Sequence, residues 1–350
     1  MTSANAVAVV LWIGATMYAV FAGADFGAGL WSLLAGGNER GRRPRELIDW
    51  AIGPVWEANH VWLIFAIVVL WTGFPSAFEA VFSTLFIPLS LAALGIVLRG
   101  SGFAFHHVAR RARGRSLAEL IFGLSSVLTP FFMGTVVGAI AGGRVPVGNA
   151  AGDPVTSWLN PLSLVIGALF VATGAYLSAV FLVSDARRAR APDLERYFGT
   201  RALVSALVTG ALAAAGLLVL RSDARFVFDG LKGDALPLVI LSVVCGGAVL
   251  VLLRRNARRG ARVLAAGAVA CVIWGWGVAQ HPYLLPQKLT IAAAAAPSAT
   301  LTSLLIVFGV AVLVVLPSLG LLFTLVQRNL VRETSTPTTQ DKPHADTLRR

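Results

Sequence analysis

Residues 53–75 read GPVWEANHVWLIFAIVVLWTGFP. A Gly-Pro corner opens an apolar run, and Gly-Phe-Pro closes it. A helix needs about 20 apolar residues to cross the hydrocarbon core of a bilayer, and the stretch from Trp56 to Gly73 has roughly that reach. Its first turns nevertheless carry Glu57, Asn59 and His60. Ionisable groups in membrane helices are costly, face the bundle interior and pair with one another. The stretch therefore reads as a membrane helix with a polar mouth.

The rest of the 350 residues fits that solvent. Hydrophobic residues make up 57% and charged residues 13%, and mean hydropathy is +0.76. Soluble domains carry about 25% charged residues, so the chain is expected to be an all-α polytopic membrane protein. Nine apolar segments have spanning length: roughly 6–34, 56–73, 77–98, 117–141, 161–183, 202–220, 236–253, 263–279 and 300–326. None alternates in polarity as a barrel strand does. The segment at the N-terminus, MTSANAVAVVLWIGA, has no basic lead and is too long for a signal-peptide core, so it reads as a retained first helix.

The net charge of +12 is divided among loops, not gathered in one stripe, and this excludes a nucleic-acid footprint. Odd loops and the tail hold clusters such as Arg40, Arg42, Arg43 and Arg45, or Arg254, Arg255, Arg258, Arg259 and Arg262. Only Arg144, Arg221, Arg225, Lys232 and Lys288 fall in even loops. By the positive-inside rule the N-terminus is outside and the C-terminus cytoplasmic. Residues 1–331 are expected to form one integral-membrane domain, and 332–350, rich in Thr, Pro and charge, a disordered cytoplasmic tail.

This orientation sets depth. Asp25 falls in the cytoplasmic half of the first span, Glu57 and His60 at the cytoplasmic start of the second, and Arg99 at the cytoplasmic end of the third. Glu57 and His60, three apart, share a helix face, with Trp56 and Asn59 beside them. Gly23, Gly27 and Gly29 around Asp25 permit close helix approach, which would let Asp25 meet the polar face of the second span. A structural reading makes Asp25–Arg99 a helix-locking pair, Asn59 an interhelical hydrogen-bonding group and Glu57 a helix-start carboxylate. The functional reading is a proton entry path built from Glu57, Asp25 and His60, since carboxylates and imidazole relay protons.

Other residues point to no metal or haem site. Cys245 and Cys271 each sit inside an apolar segment, without metal-ligand spacing. His106 and His107 adjoin a basic loop, His281 lies in an outer loop and His344 in the tail. No two histidines share mid-membrane depth as bis-histidine haem ligation requires.

Four separated motifs then carry a resemblance: GADFGAGLW (23–31), GPVWEANHVWLI (53–64), LRGSGFAF (98–105) and WGWGVAQHPYLLPQKLTIAAAAAPSATL (274–301). In this order they resemble subunit II of the cytochrome bd quinol oxidases. The resemblance implies two four-helix bundles plus a peripheral helix, and a heterodimer with a homologous subunit I in the bacterial cytoplasmic membrane. The complex would oxidise quinol and reduce dioxygen to water, with haems b and d and the quinol site on subunit I. This chain would bind no haem itself, contact membrane lipid, and have room for a structural quinone. The resemblance assigns the position of Glu57 to a cytoplasmic proton pathway, with Asp25 and Arg99 matching its acid and arginine. Two positions depart from the pattern: His60 and Ala104 stand where some members carry acids. Read from residues alone, the polar cluster also fits a secondary transporter, although transporter sites sit nearer the midplane on broken helices.

Overall fold

The computed structural model describes residues 2–36, 39–52, 56–108, 112–255 and 260–327, apart from side chains at 39–40, 52, 56–58, 103–108, 112–116, 316, 319–320 and 322–327. The predicted tail, 332–350, lies outside the described residues. The chain divides into two units, Met1–Leu304 and Leu305–Arg350, and every contact described below lies within the first.

The helices in chain order are α1 Ser3–Ala35, α2 Glu39–Ile52, α3 Trp56–Gly73, α4 Pro75–Thr84, α5 Phe86–Val108, α6 Ala112–Ala141, α7 Pro161–Arg188, α8 Pro192–Asp223, α9 Arg225–Lys232, α10 Leu236–Arg254 and α11 Ala261–Gln280. A two-stranded antiparallel ribbon follows, β1 Tyr283–Leu285 and β2 Leu289–Thr290, then α12 Ile291–Ala294 and α13 Ser298–Gln327. Among the described residues, seven helices are long and apolar enough to cross a membrane, or eight if the bent pair α3–α4 counts as one span.

The predicted third span, 77–98, is not one helix. The residue before a proline is driven out of helical conformation, and Phe74, before Pro75, has φ −139° and ψ 63°. There α4 turns away from α3 by 119°. A second break at Leu85 starts α5, whose apolar part is the shorter stretch Phe86–Gly102. Phe74 and Leu85, both fully buried, plug these corners. Hydropathy registers the continuous apolar composition but not the two hinges.

Loop one also gains structure. Its basic residues belong to α2, an amphipathic helix that inserts Leu47 and Ile48 into a core with Trp31, Val180, Val183, Ala186 and Leu194. Arg43 on α2 bonds Asp193 on α8, and Trp50 stays exposed. Helices with basic and apolar faces of this kind lie at membrane interfaces.

The centre of the first unit is α1, which packs on α7, α3, α6 and α11. α5 pairs with α6, α7 with α8, and α10 with α11, while the α6–α7 contact joins the two groups. Without a hydrophobic drive between helices in lipid, close packing of small residues supplies much of the association. Gly27 meets Gly174 of α7 so closely that a Cβ at Gly27 would lie 1.9 Å from the Gly174 carbonyl oxygen. The glycines around Asp25 thus do admit neighbouring helices, but Gly23 and Gly27 meet α7 and Gly29 meets α6 and the Arg99 side chain, not α3. Indole groups lock α1 on two helices: Trp31 Nε1 donates to Ala175 O of α7 at 2.9 Å, and Trp12 Nε1 to Ile273 O of α11 at 3.0 Å.

Replacing Gly27 by Val is expected to force α1 and α7 apart and to destabilise the protein by about 1–3 kcal/mol, the usual cost of overpacking. A Cβ at Gly246 meets nothing within 4 Å, so Gly246→Ala is expected to leave stability equal or slightly higher. Thermal unfolding of the detergent-solubilised protein, followed by monodisperse fraction on size exclusion, checks both.

Candidate functional site: a buried ion pair beside a polar cluster

Arg99 is the organising residue. Its side chain is 0% exposed and that of Asp25 3%. Taking such ions out of water costs several kcal/mol each unless geometry and further hydrogen bonds compensate. Here the compensation is dense. Arg99 Nη2 donates to Asp25 Oδ1 at 2.7 Å and to the Asp25 carbonyl at 3.0 Å. Arg99 Nη1 donates to Ser126 Oγ, whose hydroxyl donates on to Phe122 O at 2.5 Å. The guanidinium carbon lies 4.3 Å from the Phe122 ring centre and 5.0 Å from that of Phe26, distances at which a cation is attracted to an aromatic face.

The local sequence makes room for this. Gly29, one helical turn from Asp25, faces Ser126 and Arg99; a Cβ there would stand 2.1 Å from Ser126 Oγ and 2.8 Å from Arg99 Nη1. Arg99 does not end its helix, as the apolar run suggested, because α5 continues to Val108. The ion pair therefore joins α1 to α5 from within, and Ser126 ties in α6.

α3 contributes the next layer. The His60 ring is 5.8 Å from the Phe26 ring and 6.4 Å from that of Tyr18. Asn59, 8% exposed, donates from Nδ2 to Phe21 O at a long 3.5 Å. Trp56 and Glu57 lie in the first turn of α3, three residues and more from His60, and their side chains, like that of Ala104 on α5, lie outside the described residues. The structure thus brings together Asp25, Arg99, His60 and Asn59. It adds four residues that sequence reasoning did not single out: Phe26, Phe122, Ser126 and Tyr18. A signal for Ser126 existed in the need of a buried arginine for more acceptors than one carboxylate supplies.

Elsewhere, Arg262 of α11 pairs with Asp185 of α7 at 2.6 Å and donates to Phe181 O at 2.7 Å. In the loop between α6 and α7, the Asp153 carboxylate caps the backbone N–H groups of Thr156 and Val155, which holds its pKa below the usual carboxylate value. Among the described residues no three His, Cys, Asp or Glu side chains gather to hold a metal ion.

Comparisons with known proteins agree with this architecture. Residues 4–326 match the family model of cytochrome bd terminal oxidase subunit II. The chain is 24% identical over 320 residues to a Bacillus subtilis (strain 168) protein assigned as a cytochrome bd menaquinol oxidase subunit II, covering 88% of this chain and 91% of that one. It is 26% identical over 318 residues to cytochrome bd-I ubiquinol oxidase subunit 2 of Escherichia coli (strain K12), covering 80% of each. Its fold superposes on the structure of bd oxidase from Geobacillus thermodenitrificans with a TM-score of 0.75 at 28% identity, over 94% of this chain and all of that one. The chain belongs to the cytochrome bd terminal oxidase subunit II family, and it is an integral-membrane subunit of a terminal oxidase.

Proposed function

We propose that this chain supports a haem-bearing subunit I in a heterodimer that oxidises quinol and reduces dioxygen to water, and that it supplies a proton pathway from the cytoplasmic side. Under this reading the membrane domain, residues 1–331, has nine spans. α1, α3, α4 with α5, and α6 make one four-helix bundle, α7, α8, α10 and α11 a second, and α13 is the ninth span. The pairing of α5 with α6, α7 with α8 and α10 with α11 supports that grouping. The basic loops orient the N-terminus outside and the C-terminus in the cytoplasm.

The side chains here support the assignment of haem to the partner. His60 packs at a tilt near two aromatic rings, and His281 is exposed in the loop before β1. Two surface cavities, of about 380 and 460 Å³, have no histidine, cysteine or methionine in their lining. Among the described residues, these offer no pair of histidines placed to ligate haem. Under this reading the quinol reaction and oxygen chemistry belong to subunit I. Membrane lipid, and a structural quinone if one binds, would contact the apolar helix faces.

The observation that carries the proton assignment is the buried Asp25–Arg99 pair beside His60. Glu57, at the start of α3, takes a proton from the cytoplasm. His60, three residues further along the helix, passes it inward. Asp25 provides a fixed negative charge that favours a proton in a region otherwise dominated by the Arg99 cation. His60 has a donor and an acceptor nitrogen when neutral, so it fills the role that an acid holds in the family pattern. Ala104 contributes no titrating group, so water serves that position. A purely structural subunit would keep the ion pair without using Glu57 or His60.

Purification from native membranes is expected to yield this chain with a second membrane subunit and a haem d absorption band; a colourless single chain would contradict the assignment. In the assembled oxidase, Glu57→Gln is expected to slow oxygen consumption about 100-fold, the lower range for a lost acid–base group, while haem content is kept. Normal turnover and proton uptake would remove Glu57 from the pathway. Arg99→Met is expected to cost about 3–5 kcal/mol by stranding Asp25 as a buried charge. The double change Asp25→Asn, Arg99→Met should recover part of that loss in thermal unfolding.

A further inference from the structure

Among the described residues, several polar atoms around the ion pair are buried without a protein hydrogen-bond partner: Asp25 Oδ2, both nitrogens of His60, and the hydroxyl of Tyr18. Buried polar groups in folded proteins are nearly always hydrogen-bonded, and those without a protein partner are met by internal water. These atoms also lie in order. Tyr18 and Asp25 are seven residues apart on α1, two turns along the same face, about 10 Å at 1.5 Å per residue. His60 packs against α1 from α3, with its ring 6.4 Å from that of Tyr18 and 5.8 Å from that of Phe26, the residue after Asp25. The imidazole thus lies beside the stretch of α1 that carries both the phenol and the carboxylate. Arg99 closes the opposite end through Asp25 Oδ1 and Ser126.

We propose that ordered water links Asp25 Oδ2, His60 and the Tyr18 hydroxyl, and that Tyr18 extends the proton pathway beyond His60, away from the cytoplasmic side. The inference rests on the proton-pathway reading above and supplies its inner continuation. The chemistry needs no change of net charge on the phenol. The hydroxyl oxygen accepts a proton from water on the His60 side as its own proton passes to the next acceptor, and rotation about the C–O bond restores the starting arrangement. A hydroxyl both donates and accepts, whereas an apolar ring at this position would break the chain. Tyr18 is also the deepest member of the cluster, so it is the point where the path leaves α1 and α3.

The test uses the assembled oxidase in membranes, with turnover expressed per haem so that lower assembly does not enter the result. Tyr18→Phe keeps the ring and removes only the hydroxyl. It is expected to lower turnover about tenfold, less than loss of a directly positioned acid–base group because water bridges part of the gap. The solvent deuterium isotope effect on oxygen consumption is expected to rise above that of the parent. Tyr18→His, which restores a donor and an acceptor, should regain part of the rate. Parental turnover and isotope effect in Tyr18→Phe would overturn the proposal, and so would slower turnover with an unchanged isotope effect, which marks a packing role. Glu57→Gln measured in parallel separates the two layers. If it slows and Tyr18→Phe does not, only the Tyr18 step fails; if Glu57→Gln has full turnover, the pathway reading itself fails.

Discussion

A guanidinium with no exposed surface constrains everything around it. Arg99 cannot give up its charge in a protein, so its site must supply both a counter-charge and acceptors for its N–H groups. Asp25 provides the first. The Asp25 carbonyl and Ser126 provide the second, and Phe26 and Phe122 face the cation with their rings. Each demand fixes a residue on a different helix, and so α1, α5 and α6 are specified together. Gly29 belongs to the same set, because any side chain there would occupy the space of Ser126 and Arg99.

This arrangement separates two electrostatic tasks. Protonating Asp25 would strand Arg99 as an unpaired buried ion, a change that costs several kcal/mol. The pair is therefore suited to hold charge in place, and the groups without protein partners, His60 and Tyr18, are suited to move protons. In the proposed pathway Asp25 acts by its charge and by aligning water at Oδ2. The polarity of the cluster then has two physical origins: one part neutralises a buried cation, and the other, in the proposed pathway, binds water beside it.

Much of the fold was legible because lipid makes composition a direct signal. Apolar runs of spanning length became α1, α3, α6, α7, α8, α10, α11 and α13, and family membership follows from motifs distributed over most of the chain. The run 77–98 misled because an apolar stretch with Phe-Pro at 74–75 and Phe-Ile-Pro at 86–88 keeps its hydropathy while the backbone turns twice. α2 was hidden by its arginines and Pro44, since only Leu47 and Ile48 register its buried face. At the site, Asp25, Arg99, His60 and Asn59 were visible as charges or amides out of place in an apolar run. Phe26, Phe122 and Tyr18 were not, because aromatic residues are unremarkable in a membrane helix until the geometry places a cation or an imidazole against them. The partner of the α1 glycines was also beyond reach: a small-residue pattern permits close approach without saying which helix approaches.

The identity of that partner helix explains how a wet polar cluster stays in register. α1 is held on α7 by Gly27 against Gly174 and by Trp31 donating to Ala175 O, and on α11 by Trp12 donating to Ile273 O. The two indoles stand about 28 Å apart along the helix, at 1.5 Å per residue, close to the thickness of the hydrocarbon core. The height of α1 is thus set at both ends and along the α7 seam by contacts that involve none of the polar cluster. Groups on α1 that face α3 and α5 inherit this height. The Asp25 carboxylate is thereby held against Arg99. In the proposed proton path this lets water reorganise beside a fixed charge, because α1 separates its apolar anchors from its polar face.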